Sequence, residues 1–103
     1  MCYNEDMRTI NEDIVKLVSF EPCLCCGYVT GATPHHIKTR GSGGGDTIDN
    51  LMPLCQKHHT EVGTIGLIAF SAKYVRVYLW LMEHEWEIDT FLNKWRNYQR
   101  PIT

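Results

Sequence analysis

The sequence predicts one small α+β domain, with short strands and loops in its middle and amphipathic helices on either side. Three observations carry this expectation. Apolar residues recur at helical spacing over residues 4–18, from Ser71 onward and from Asp89 onward. Residues 23–54 are instead punctuated by Gly27, Gly31, Pro34 and the run Gly41-Ser42-Gly43-Gly44-Gly45, which breaks any helical period. At 103 residues and 44% hydrophobic content, the chain has material for one modest core and is too apolar for a disordered tail.

The first helix is expected over residues 4–18, with Met7, Ile10, Ile14, Leu17 and Val18 on one face. Asn4 suits its cap, Glu5 and Asp6 suit the positive end of its dipole, and Pro22 closes the segment. Short strands fit Tyr28 to Thr30, a stretch leading into His35-His36-Ile37, and Leu51 to Leu54. A helix begins near Cys55, limited by Gly63 and Gly66. Another starts at Ser71 as cap, with Tyr74, Val77, Tyr78, Leu81 and Met82 as its stripe. A last helix fits Asp89 to about Gln99, with Ile88, Phe91, Leu92, Trp95 and Tyr98 on one side. The aromatic set Tyr74, Tyr78, Trp80, Trp86 and Trp95 is read as core. The single domain therefore divides into an N-terminal helix (1–22), a central core (23–66) and a C-terminal helical extension (67–103).

Charge narrows the function classes. The net charge is −2, with the acidic excess confined to residues 1–22 and an even balance over residues 23–70. A protein that coats nucleic acid non-specifically usually shows a strong basic excess, so any polynucleotide must be held at a local site. The longest apolar runs, such as Val77 to Met82, are too short to cross a bilayer, and the polar, acidic opening residues do not form a signal segment. A cytoplasmic setting and no membrane partner are expected.

Cysteine and histidine positions are the most informative feature. Cys23, Cys25, Cys26, Cys55, His35, His36, His58 and His59 share one 37-residue window, outside which lie only Cys2 and His84. An odd cysteine count without a secretion signal favours metal ligation over disulfides. Cys23 and Cys26 form a C-x2-C pair, and Cys55 and His58 a C-x2-H pair. Two such knuckles supply the four ligands of a tetrahedral structural Zn²⁺ site. Cys25, adjacent to Cys26, would chelate badly with it and is left as a bystander. A central segment this short needs such a staple.

His35, His36 and His59 remain. Adjacent side chains on a strand point to opposite faces, so His35 and His36 can serve different partners. Neighbours on a helix lie about 100° apart, which lets His58 close the zinc knuckle while His59 turns towards His35.

The series His35-His36-Ile37, Asp49-Asn50-Leu51 through Leu54-Cys55, and His58-His59 resembles the HNH nuclease motif of the ββα-metal fold. The intervals also match, with 15 positions from His35 to Asn50 and nine from Asn50 to His59. Zinc-stapled members interleave their knuckles as this chain does, and the region from Ile65 onward is similar, more weakly, to short HNH proteins of bacteria and phages. The resemblance implies a ββα-metal core with structural zinc, flanked by an N-terminal helix and C-terminal helices.

It further implies a metal-dependent endonuclease acting on DNA, with low intrinsic sequence specificity and 5′-phosphate and 3′-hydroxyl products. His36 would be the general base, His35 and His59 the ligands of a catalytic divalent ion, and Asn50 the residue that orients His36 through the loop. Magnesium or manganese is the implied ion, with nickel or zinc as alternatives. Lys38, Arg40 and Lys57, beside the motif, are candidate phosphate contacts. A homodimer or a protein partner would supply specificity. Relatives often carry a further histidine four residues after the last ligand, where this chain has Gly63. The competing reading is a zinc-binding DNA or protein interaction module that keeps the frame without turnover.

Overall fold

The computed structural model describes residues 9–92 and 94–97. In chain order these form α1 (Glu12–Ser19), β1 (His35–His36), β2 (Leu51–Met52), α2 (Gln56–Ile65), α3 (Leu67–Lys73), α4 (Val75–Glu83), β3 (Trp86–Asp89) and β4 (Lys94–Asn97). Two short 3-10 turns, Arg40–Ser42 and Ile48–Asn50, lie between β1 and β2. The fold is a mixture of helices and two small antiparallel sheets, α+β as expected. It condenses into two compact units, the first ending at His59 and the second beginning at Thr60.

In the first unit, α1 starts later than the periodicity suggested. Asn11 is its cap, and its side chain accepts the backbone N–H of Ile14 at 3.1 Å. Met7 and the expected cap Asn4 lie outside the described residues. The apolar stripe also differs from expectation. Val18 is buried, Ile14 and Val15 are half-buried, but Ile10 and Leu17 are about two-thirds exposed.

The stretch Tyr28 to Thr30 forms no strand. Its residues are exposed, and the Tyr28 carbonyl is engaged in the turn that closes the first knuckle. β1 and β2 pair antiparallel, His35 opposite Met52 and His36 opposite Leu51. Leu51, Met52, Leu54 and Pro34 are buried and form the floor beneath the histidines. β2 is shorter than expected because Pro53 has no N–H to continue the ladder.

Gly44 and Gly45 let the β1–β2 loop fold back. A Cβ at Gly44 would sit 1.8 Å from the Lys38 carbonyl oxygen, and one at Gly45 would meet Thr9 Cβ at 3.0 Å. The first approach admits only glycine, and the second is tight for any larger residue.

The second unit carries the larger corrections. α2 runs through Gly63 and stops at Gly66, whose φ of 86° is left-handed. Ser71 does not cap a helix. It is buried inside α3, where its hydroxyl donates to the Ile68 carbonyl and accepts the Trp95 indole N–H at 3.2 Å. Extended backbone at Tyr74 then separates α3 from α4.

The helix expected from Asp89 does not form. β3 and β4 make a hairpin that pairs Ile88 with Trp95, Glu87 with Arg96 and Asp89 with Lys94. One face carries Trp86, Ile88 and Trp95, and the other places acids opposite bases, a period-two pattern that outweighs the looser helical one. Asp89 sets the turn by accepting the backbone N–H groups of Phe91 and Leu92 and pairing with Arg96. The hydrogen bond from Leu92, then Arg96 and Phe91, hold its carboxyl below the usual range despite partial desolvation. The C-terminal extension is thus two helices and a hairpin. Of the aromatic set read as core, Trp86 and Trp95 are buried, whereas Tyr78 lies exposed with its ring edge-on to Trp95.

Candidate metal centre and active site

The two knuckles converge. The ligand atoms of Cys23, Cys26, Cys55 and His58 all lie within 4.8 Å of one another. Cys26 Sγ and Cys55 Sγ are 3.8 Å apart, and Cys23 Sγ and His58 Nδ1 are 3.6 Å apart. Metal–sulfur bonds of about 2.3 Å and a metal–nitrogen bond of about 2.0–2.1 Å in a tetrahedron imply edges of about 3.8 and 3.6 Å. Cys55 Sγ and His58 Nδ1 are closer, at 3.1 Å.

The backbone is shaped for this corner. Gly27, at φ 79°, lets its N–H reach back to the Cys23 carbonyl at 2.8 Å, while the Cys23 N–H donates to the Tyr28 carbonyl at 2.9 Å. Burial raises the Cys23 thiol pKa, but hydrogen bonds from the backbone at Cys55, Cys26 and Cys25 outweigh it and hold the thiol below its ordinary value. Cys26 moves the other way. The Tyr28 backbone lowers it, yet desolvation and the neighbouring Cys23 and Cys55 raise it on balance. Crowded thiols of this kind are what a shared cation relieves. The donor set therefore fits a metal such as zinc, and Cys25 is not part of it.

Next to His58 on α2, His59 takes a different direction. Its ring meets that of His35 edge-on, with centroids 5.4 Å apart and planes at 83°. Burial, followed by the charges of His59 and His36, pushes the His35 pKa down to about 4. His35 is therefore a neutral imidazole at physiological pH, the form that binds metal.

His36, the next residue on β1, turns to a different hydrogen-bonding partner. Its Nε2 lies 2.8 Å from Asp46 Oδ1. Asp46 is 3% exposed, and its other oxygen, Oδ2, accepts the Asn11 backbone N–H at 2.9 Å. Sequence reasoning missed Asp46, although its place after three glycines in a loop returning to the strand was the available signal.

Asn50 is buried and its side-chain amide makes three hydrogen bonds. Oδ1 accepts the Lys38 N–H at 2.7 Å, and Nδ2 donates to the carbonyls of Lys38 and Gly45 at 3.0 and 2.9 Å. These bonds tie both ends of the β1–β2 loop together. Lys38, Arg40 and Lys57 are all exposed. Arg40 lines an open depression of about 330 Å³ with Ile10, Glu12 and Asp46.

A Cys3His corner that could hold a metal, a two-stranded ribbon carrying adjacent histidines and a helix presenting a third define a ββα unit. Comparison with known families reaches the same place: residues 23–64 match the family model described as HNH endonuclease, so this chain carries an HNH domain over that segment. The chain is also 39% identical over 70 residues to "Uncharacterized protein YdfU" of Escherichia coli strain K12. That stretch covers 65% of this chain and 20% of the relative, so the match spans about a fifth of the relative's length. No solved structure matches significantly. Among the described residues, no helix is long and apolar enough to cross a membrane.

Proposed function

We propose that this chain is a metal-dependent HNH endonuclease that hydrolyses DNA phosphodiester bonds, leaving a 5′-phosphate and a 3′-hydroxyl. One observation carries the reading: His35 and His36, adjacent on β1, diverge to separate partners, His35 to His59 and His36 to Asp46. This division separates ion binding from proton transfer, as hydrolysis of a phosphodiester requires.

A divalent cation held by His35 and His59, magnesium or manganese with nickel or zinc as alternatives, would supply Lewis-acid stabilisation to the phosphate. The low pKa of His35 suits that role, because protons do not compete for its ring near neutral pH. His36 acts as general base. As a water oxygen bonds to phosphorus, one water proton passes to the His36 ring, the bond to the 3′ oxygen breaks, and that oxygen takes a proton from solvent. Asn50 holds the loop that carries Asp46 and so orients His36 indirectly. Arg40, which lines a depression with Asp46, is with Lys38 and Lys57 a candidate contact for backbone phosphates. The domain's even charge balance and few free bases favour nicking or low-specificity cleavage, with specificity supplied by a second copy or another protein.

The test is conversion of supercoiled plasmid by zinc-loaded protein with magnesium, manganese or nickel, alongside His36→Ala. The expected result is metal-dependent nicking lost in the variant. Equal rates for both proteins under every metal, with zinc retained, would instead assign the chain to non-catalytic binding, a reading that Gly63 at the usual further-histidine position favours.

A further inference from the structure

We propose that Asp46 is a positioning residue that locks His36 in the tautomer with its proton on Nε2, making Nδ1 the nitrogen that accepts the water proton. The inference rests on the hydrolytic reading above and adds to it a residue and an atom. A carboxylate oxygen accepts hydrogen bonds and donates none, so a 2.8 Å contact to Oδ1 requires the hydrogen to sit on Nε2. The remaining ring nitrogen then carries the lone pair. A general base needs its lone pair on the nitrogen that faces water, and a buried acceptor behind the ring supplies that bias.

Asp46 is itself held from three sides. Asn11 donates its backbone N–H to Oδ2 at 2.9 Å, the Asp46 N–H donates to the Thr9 carbonyl at 2.7 Å, and Asn50 grips the preceding carbonyl, that of Gly45, at 2.9 Å. Gly45 allows this because a Cβ there would press on Thr9 at 3.0–3.3 Å. The start of α1 is thereby built into the orientation of the base. Among the described residues, Oδ1 faces histidine and Oδ2 accepts a backbone donor, so both oxygens are engaged.

The arrangement makes Asp46→Asn an informative variant. The Asn11 N–H still demands an oxygen, so the amide places its oxygen there and its NH2 towards His36. An NH2 group facing Nε2 requires a lone pair on that nitrogen, which drives the proton to Nδ1, the wrong tautomer. In hydrolase triads the same carboxylate-to-amide change keeps the geometry and lowers kcat by about 10⁴-fold.

Two readouts test this, using the zinc-loaded chain at mildly alkaline pH. The first is the ¹⁵N spectrum of His36. Wild type is expected to show the Nε2–H tautomer and Asp46→Asn the Nδ1–H tautomer, and Nδ1–H in the wild type overturns the proposal whether or not the protein cuts DNA. The second is steady-state cleavage. Asp46→Asn is expected to lower kcat by at least ~100-fold with KM within ~3-fold and zinc unchanged, the pattern of a lost transition-state contribution. A kcat within ~3-fold of wild type overturns the positioning role. If wild type shows Nε2–H but no cleavage with any metal, the nuclease reading has failed while the tautomer lock stands. If Asp46→Asn does not fold, the wild-type spectrum still decides.

Discussion

His58 and His59 are neighbours on one helix, yet in the proposed function they serve two sites of opposite character. His58 is buried and completes a closed set with three cysteines, leaving no position for anything but an ion. His59 is half-buried and meets a single further imidazole, so an ion there would keep several positions for water or phosphate. The difference is the one that separates structural from catalytic metal sites, where closure gives stability and open positions give chemistry. Strand geometry produces the same division again at His35 and His36, whose opposite directions send one ring to His59 and the other to Asp46.

The sharpest way to break this comparison is to open the closed site. Cys55→Ser should abolish zinc retention and the cooperative folding of the N-terminal unit, because binding free energy at such a site is folding free energy. Zinc content and circular dichroism measure this, and a folded, zinc-free variant would show that the corner is dispensable. Next in size, His36→Ala should lower the cleavage rate by about 10²–10⁴-fold, the usual contribution of a general base, with the fold intact. His59→Ala should retain zinc but raise the manganese concentration needed for half-maximal cleavage by at least ~10-fold, or ~1.4 kcal/mol.

Acid should distinguish the two sites as well. The His35 pKa is depressed in the folded protein to about 4 from an ordinary 6.5. Between these values the unfolded chain binds more protons, so the stability contributed by neutral His35 is complete above pH 6.5 and is lost as pH falls towards 4. The difference in urea midpoint between wild type and His35→Asn should therefore shift against the wild type over that window, and a constant difference would contradict the low pKa. The smallest effect is expected at Gly63, an exposed helical glycine whose Cβ position is empty. Gly63→Ala should stabilise the protein by about 0.5–1 kcal/mol without altering zinc content, as thermal unfolding would show.

How much of this was legible in the sequence depended on how local each signal was. The zinc corner was readable because a C-x2-C and a C-x2-H pair each bring two ligands together through a few residues of backbone. The strand positions of His35 and Leu51 and the start of the helix after Cys55 were readable for the same reason. Asp46 was not, because its contacts to His36 and Asn11 span 10 and 35 positions and depend on a glycine loop closing.

The C-terminal hairpin was misread as helix because Phe91, Leu92 and Trp95 fit a helical face. The deciding information lay in the charge alternation Glu87, Asp89, Lys94 and Arg96, which acquires meaning only when the two strands pair. The end of α3 was hidden similarly. Ser71 has the chemistry of a cap, and only its bond to Trp95 shows that it is an interior residue.

The most direct test of a closed zinc corner beside an open catalytic pair is manganese titration of supercoiled plasmid cleavage by zinc-loaded wild type and His59→Ala. Saturable activation in wild type, a half-maximal manganese concentration at least ~10-fold higher in the variant and the same zinc content in both are the predicted result. Cleavage that is independent of manganese, or equal in the two proteins, would contradict it.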